Sequence, residues 1–266
     1  MKNILLISSK KNIKNKNTRD IISYLKKIKI PYTTIDTDVE DISTLKISKE
    51  TLLVSLGGDG TVLKAMKIAW LNKLDVLPLG SGRIGYLVNS KENFKSIIDE
   101  WKINKHSYAK RKAIIQNNNH KFPAFNEVVV IKNSPSRLLD LSIETYDQKV
   151  NLRSDGLIIS TSLGSTAYNY SAGGPIIHND IDSIVVTPIS PFSKFPRSIV
   201  LSGKSKLILT ISKNQNYAIQ FDGIMEVQEK NETNLTFEYK LSSKSINLVG
   251  QNNNPKIDLF LNQILR

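Results

Sequence analysis

The chain contains no cysteine. That absence excludes disulfides, thiolate metal sites and a cysteine nucleophile. Histidine is almost as scarce, and His106, His120 and His178 stand too far apart to match the spacing of a metal cluster. Aromatic residues are few, and none is interleaved with basic residues in the manner of an RNA-binding strand; a basic recognition helix is also missing. No apolar run approaches the roughly 18 residues of a membrane span. The first apolar run, Asn3 to Ser8, is short and lacks a cleavage pattern, so it does not read as a signal peptide. These absences predict a soluble, cytoplasmic protein with neither a membrane nor a nucleic-acid partner.

What is plentiful is lysine. The formal net charge is +13 over 266 residues. The lysines lie among asparagines and isoleucines, as in Lys10 to Lys16 and Lys26 to Lys29, which reads as a bias of the whole chain and a solvated surface. A basic surface also draws in anionic nucleotides. The length allows one large or two small domains.

Strand and helix signals alternate through the first hundred residues. Strands are expected at Asn3 to Ser8, Tyr32 to Ile35, Thr51 to Leu56 and Val76 to Leu79, and helices near Thr18 to Lys27, Thr61 to Asn72 and Glu92 to Trp101. Such alternation predicts an α/β domain with a parallel sheet. Beyond Ile103 the texture changes to short β-type runs, at Ala113 to Gln116, Asn126 to Lys132, Leu138 to Tyr146, Leu157 to Thr161, Ile184 to Pro188, Lys206 to Ile211, Tyr217 to Phe221, Leu235 to Tyr239 and Ile246 to Leu248, which predicts a mainly β, sandwich-like domain. The expected organisation is residues 1–104 as the α/β domain and 105–254 as the β-rich domain. Residues 255–266 form an apolar segment at helical spacing, expected to pack back on the first domain. Asn117 to His120 reads as a hairpin loop.

Three stretches carry chemistry. In the first, Leu56-Gly57-Gly58-Asp59-Gly60-Thr61, an acid sits in a glycine turn between a buried-strand pattern and a helical one. Glycines permit positive φ and close approach of phosphates, and the first N–H groups of the helix point to the same place. A carboxylate repels phosphate, so Asp59 is either a helix cap or a group that meets a hydroxyl, a proton or a metal. The second stretch runs from Asp155-Gly156-Leu157 through Gly164-Ser165-Thr166-Ala167-Tyr168 to Ser171-Ala172-Gly173-Gly174-Pro175. It is either a long polar connection or a nucleotide loop, in which N–H groups and hydroxyls bind and Tyr168 stacks on a base. The third is Asn126-Glu127, at the mouth of the run Val128 to Ile131. It is either the solvated end of a strand or a pair that reads hydroxyls and ring amines.

Together these residues resemble the bacterial NAD kinase family, the ATP/polyphosphate-dependent NAD kinases, over nearly the whole chain. Thr187-Pro188-Ile189 and Asp222-Gly223 match more weakly. The glycine turn alone is shared with diacylglycerol and sphingosine kinases, so a lipid kinase is an alternative, as is a non-catalytic basic nucleotide- or RNA-binding protein. The resemblance implies an NAD kinase/diacylglycerol kinase-like fold. It also implies phosphoryl transfer from ATP or another donor to the 2′-hydroxyl of the adenosine ribose of NAD, giving NADP. A divalent cation such as Mg²⁺ would accompany the donor, and the family forms dimers or tetramers whose nucleotide sites involve neighbouring subunits.

By the same resemblance Asp59 is the catalytic group, and Gly57, Gly58, Gly60 and Thr61 face the donor phosphates. Asn126, Glu127, Arg153, Asp155, Thr166, Ala167, Tyr168 and Ser171 would line the NAD site. A carboxylate is a weak base for a sugar hydroxyl, but a loose phosphoryl-transfer transition state needs the nucleophile only oriented, with its proton lost late. Orientation is therefore the role expected of Asp59. The chain departs from the family pattern in the short Gly80 to Leu87 loop, in Ser162-Leu163 where a proline and a hydroxyl residue are usual, and in Phe192 where histidine is frequent.

Overall fold

Seven consecutive residues, Thr51–Gly57, form a strand (β3) that is buried at every position. Burial on both faces is what a central parallel strand requires. β1 (Asn3–Ser8) runs parallel on one side of it, with β2 (Tyr32–Asp36) beyond, and β4 (Asp75–Gly80) runs parallel on the other. Helices α1 (Lys16–Lys27) and α3 (Phe94–Lys102) supply Ile21, Leu25, Ile97, Ile98 and Trp101 to one core with Leu52, Val54 and Leu56. Helix α2 (Asp59–Asn72) also packs on β3. Its buried residues Val62, Ala65, Met66 and Ala69 stand outside that core and cover the alternate side chains of the strand.

The structure, a computed structural model, describes residues 2–9, 12, 14–36, 47–80, 86–89, 93–117, 119–133, 137–146, 148–192, 197–230 and 232–251. The chain splits into two compact units, Met1–Arg111 with Ser245–Arg266, and Lys112–Lys244. Both divisions fall inside strands, β5 (Tyr108–Gln116) and β16 (Leu235–Val249). No change of composition marks them, which is why the sequence suggests 104 and 254 instead. After re-entering the first unit, the chain pairs Leu248 of β16 with Val76 of β4. The segment 255–266, expected to pack back on the first domain, lies outside the described residues. None of the described helices is long and apolar enough to cross a membrane.

The second unit holds two sheets around one core. One sheet runs β12 (Ile199–Ser202), β11 (Ser183–Ile189), β10 (Gly156–Thr161), β7 (Glu127–Lys132), β14 (Asn216–Phe221), β15 (Ile224–Lys230). In the other, β13 (Lys206–Ile211) lies between β16 and β8 (Leu139–Thr145), with β9 (Gln148–Ser154) at the edge, and β5 pairs with β6 (Asn119–Ala124). Val128, Val130, Ile159 and Phe221 of the first sheet pack with Leu141, Leu207, Leu209 and Tyr239 of the second. Strands β6, β9, β12 and β15 are absent from the sequence-based expectation. Three of them, β9, β12 and β15, end a sheet order; polar residues break the apolar signal in β9 and β15, and β12 is only four residues long. Two expected runs, Leu235 to Tyr239 and Ile246 to Leu248, are one long strand. Strand β6 begins at Asn119, inside the stretch expected to be loop.

Candidate active site

In the first unit the glycine turn caps α2. Gly58 is the N-cap residue, and no side chain caps the helix. Asp59 is the first helical residue, and its carboxylate turns away from the cap. Its two oxygens accept backbone N–H groups from a separate segment, Tyr86 to Oδ2 and Leu87 to Oδ1, both at 2.9 Å. The capping alternative is thereby replaced by a clasp between α2 and the chain after β4. Each oxygen retains a lone pair for a hydroxyl. None of Gly57, Gly58 and Gly60 adopts a positive φ. A Cβ on Gly57 would lie 2.3 Å from Thr61 Oγ1, whereas one on Gly58 or Gly60 would meet nothing within 4 Å. The turn therefore leaves open space above the first N–H groups of a fourteen-residue helix, the geometry that suits a phosphate. Residues 81–85 of the short loop following β4 lie outside the described residues.

The second unit builds its site on the turn into β7. The backbone N–H groups of Phe125, Asn126 and Glu127 all donate to the carboxylate of Asp222, at 2.9, 2.8 and 3.2 Å. Asp222 in turn donates its own N–H to the carbonyl of Glu127 at 3.0 Å. It can do so because Asp222 and Gly223, both at positive φ (49° and 76°), make the tight turn between β14 and β15. Glu127 is 7% exposed. Burial first, and then the charge of Asp222, push its carboxyl up to about 8, against a backbone hydrogen bond from Tyr168 that pulls the other way. Oxygen Oε2 of Glu127 is buried with no hydrogen-bond partner among the described residues. A buried acceptor left open costs on the order of 1–3 kcal/mol, so such atoms mark places where something else binds.

The long glycine-rich loop is fastened to this turn. Thr161 donates its N–H to the carbonyl of Asn126 (2.9 Å) and its hydroxyl to that of Phe125 (2.6 Å), and then accepts from Gly164 N–H at 3.0 Å. Gly164 lies so close that a Cβ would stand 2.1 Å from the Asn126 carbonyl oxygen. A one-turn 3₁₀ helix, Leu163–Thr166, then leads into a short helix, Tyr168–Ser171. Tyr168 is 40% exposed, while Thr166 and Ala167 are half-buried and Ser171 is exposed. Asn169 is fully buried and ties the loop from within, donating to the carbonyls of Ser165 and Pro175 and accepting from the hydroxyl of Thr187. Leu163 is buried, and Ser162 bonds to Ser183 and to the carbonyl of Ile181. The departure from the family pattern at 162–163 is thus taken up in packing.

Asn126, Glu127, Thr166, Ala167 and Tyr168 are therefore brought together, and Arg153 and Asp155 are not. Ser160 pairs with Glu127 and Gly156 with Ile131, so Asp155, which immediately precedes β10, lies beyond its opposite end, roughly 16 Å away along the strand. There Asp155 bonds to Lys132 Nζ at 2.5 Å, and Arg153 bonds to Asp140 at 2.8 Å with its guanidinium over the exposed ring of Phe192. Two residues of the site are given no role by the sequence: Asn169, and Asp222, which enters only as part of a weaker family match. The dipeptide Asp222-Gly223 between two β-runs is a hairpin signal, but nothing in it tells which other turn its carboxylate meets.

A family profile described as the ATP-NAD kinase C-terminal domain matches residues 125–248. The NAD kinase of Caldicellulosiruptor saccharolyticus is 34% identical over 239 residues, 86% of each chain. The NAD kinase of Borrelia garinii subsp. bavariensis is 33% identical over 74% of this chain and 75% of its own. A bifunctional NADP phosphatase/NAD kinase of Methanocaldococcus jannaschii is 34% identical over 82% of this chain, which spans only 40% of that longer protein. The fold is that of an Archaeoglobus fulgidus NAD kinase solved with ATP (TM-score 0.73, 21% identity, 92% of each chain). It is equally that of a yeast NADH kinase solved with NADH (TM-score 0.79, 22% identity, all of this chain and 87% of the other). With relatives of this similarity along most of its length, and with both the acid-bearing glycine turn and the clamped Asn-Glu turn in place, the chain belongs to the NAD kinase family.

Proposed function

We propose that the protein is an NAD kinase, which transfers a phosphoryl group from ATP to NAD and yields NADP. The observation that carries this reading is the second-unit site. There a buried carboxylate oxygen without a partner among the described residues lies in a hydrogen-bonded turn beside an exposed tyrosine, an arrangement suited to a ribose hydroxyl next to a purine. In our assignment Asn126, Glu127, Thr166, Ala167, Tyr168 and Ser171 bind NAD, while Gly57, Gly58, Gly60 and Thr61 face the donor phosphates. Asp59 orients the 2′-hydroxyl. Its carboxylate, fixed by two N–H donors, accepts the hydroxyl proton late, as a loose transition state allows. Arg153 and Asp155, a strand's length from Glu127, serve in this reading a nucleotide bound by a second copy of the chain in a dimer or tetramer.

Among the described residues no group of three or more His, Asp or Glu side chains is placed to hold a metal ion. In our proposal a divalent cation, Mg²⁺, would accompany the donor's phosphates and offset their charge. A lipid kinase is not supported, because the relatives just described are NAD kinases. The test is incubation of the purified protein with NAD, ATP and Mg²⁺ and detection of NADP, with NADH and polyphosphate run in parallel. Binding of NAD with no phosphate transfer from any donor would refute the enzyme and leave a sensor.

A further inference from the structure

We infer that Asp222 is a positioning residue for NAD, acting through the Asn126–Glu127 turn in two ways: it fixes the turn's backbone, and it sets a second carboxylate beside the buried Glu127. This inference rests on the proposed NAD site. Three consecutive N–H groups converge on Asp222, and its own N–H closes the ring on the Glu127 carbonyl. Asn126 and Glu127 thus hang from one side chain on another hairpin. Among the described residues the charged group that faces Glu127 is Asp222; the Tyr168 backbone donates to it, and Ser160, opposite on β10, is uncharged.

The two carboxyls make ligand binding a proton-exchange event. With its carboxyl pushed up to about 8, Glu127 carries a proton at neutral pH in the free protein. A ribose offers O–H donors, and a carboxylate accepts them more strongly than a neutral acid does. Binding through Oε2 therefore expels the proton, which leaves to buffer. Affinity for NAD then rises as pH passes upward through 8, and Kd falls about tenfold between pH 7 and pH 9.

Isothermal titration of NAD into the protein, in buffers of different ionisation enthalpy, reads both Kd and the protons released. Wild type is expected to release about 0.9 proton at pH 7, and Glu127→Gln none. Asp222→Asn relieves the repulsion and moves the midpoint down. For a one-unit move, release falls to about half a proton and the pH 7 to 9 change in Kd shrinks to about twofold. Loss of the clamp raises Kd at pH 9 by about tenfold. Should Asp222→Asn not fold, Asp222→Ser makes the same comparison. A merely structural Asp222 would weaken binding equally at every pH, so a variant that releases as many protons as wild type overturns the inference. Wild-type binding of NAD without proton release also overturns it. If wild type neither binds NAD nor forms NADP, the proposed function itself fails.

Discussion

Replacing Gly164 with alanine tests whether the glycine-rich loop is held by contact with the Asn-Glu turn. The added Cβ would stand 2.1, 2.4 and 2.6 Å from the O, C and Cα of Asn126. Relief requires a shift of roughly 1 Å or more in one backbone or the other, because no side-chain rotation moves those atoms. The Asn126 carbonyl is fixed by Thr161 N–H at 2.9 Å and the Ser160 hydroxyl at 3.2 Å, and its N–H is fixed by Asp222. Moving it breaks at least two buried hydrogen bonds at about 1 kcal/mol each and leaves packing defects on both sides, so the expected loss is roughly 3 to 5 kcal/mol. In a thermal scan this is a fall in Tm of about 10 °C or more. Gly60→Ala is the control, because nothing lies within 4 Å of a Cβ there. In the first turn of α2, alanine is expected to leave stability unchanged or raise it by up to about 1 kcal/mol. A Gly164→Ala protein that melts within 2 °C of wild type would refute the reasoning, as would a Gly60→Ala protein as unstable as Gly164→Ala.

The same Gly60→Ala variant is expected to lose activity while keeping its stability, with KM for ATP raised about tenfold or more, since the methyl group fills space assigned to phosphate; an unchanged KM would remove Gly60 from the donor site. Asp59→Asn should lower kcat by roughly 10² to 10⁴ with a smaller change in NAD affinity. It should also lose about 1 to 2 kcal/mol of stability, because an amide leaves one of the Tyr86 and Leu87 N–H groups facing its NH₂; near-wild-type kcat would end the assignment. The ligand-free protein should lose stability as pH rises. Glu127 keeps its proton in the folded state up to about 8 but loses it near its ordinary value of 4.5 when unfolded. The folded form therefore binds more protons between those values, and stability falls through that window by on the order of 3 to 5 kcal/mol. Melting from pH 5 to pH 9 checks this, and Glu127→Gln should abolish that part of the slope. Asn169→Ala removes three buried hydrogen bonds and should cost about 2 to 4 kcal/mol in urea unfolding; a change below 1 kcal/mol would show that the loop holds without it.

Much of the fold is legible in the chain because its strong signals are local. β1 and β13 begin and end where the apolar pattern predicts, and β3 is recognised from a continuous apolar run that ends in glycine. The polar strands β9 and β15 leave no such pattern, and the two unit boundaries lie inside β5 and β16, where contact rather than composition defines them.

By itself the sequence determined the chemical parts: an acid in a glycine turn, an amide-acid pair before a buried strand, a loop rich in glycine and hydroxyls, and an excess of lysine with no cysteine. These are facts of residue type and spacing, and they suffice to indicate the family. Only the tertiary structure decided how the parts act. It turned Asp59 away from its helix and onto Tyr86 and Leu87, set Asp222 beneath a turn 95 residues away in the chain, and left one oxygen of Glu127 buried and open. It also put Arg153 and Asp155 at the far end of the strand from the residues that the family pattern groups with them. Spacing along a chain records neither where a carboxylate's lone pairs point nor how much water is removed around it, and those two quantities govern proton affinity and ligand binding.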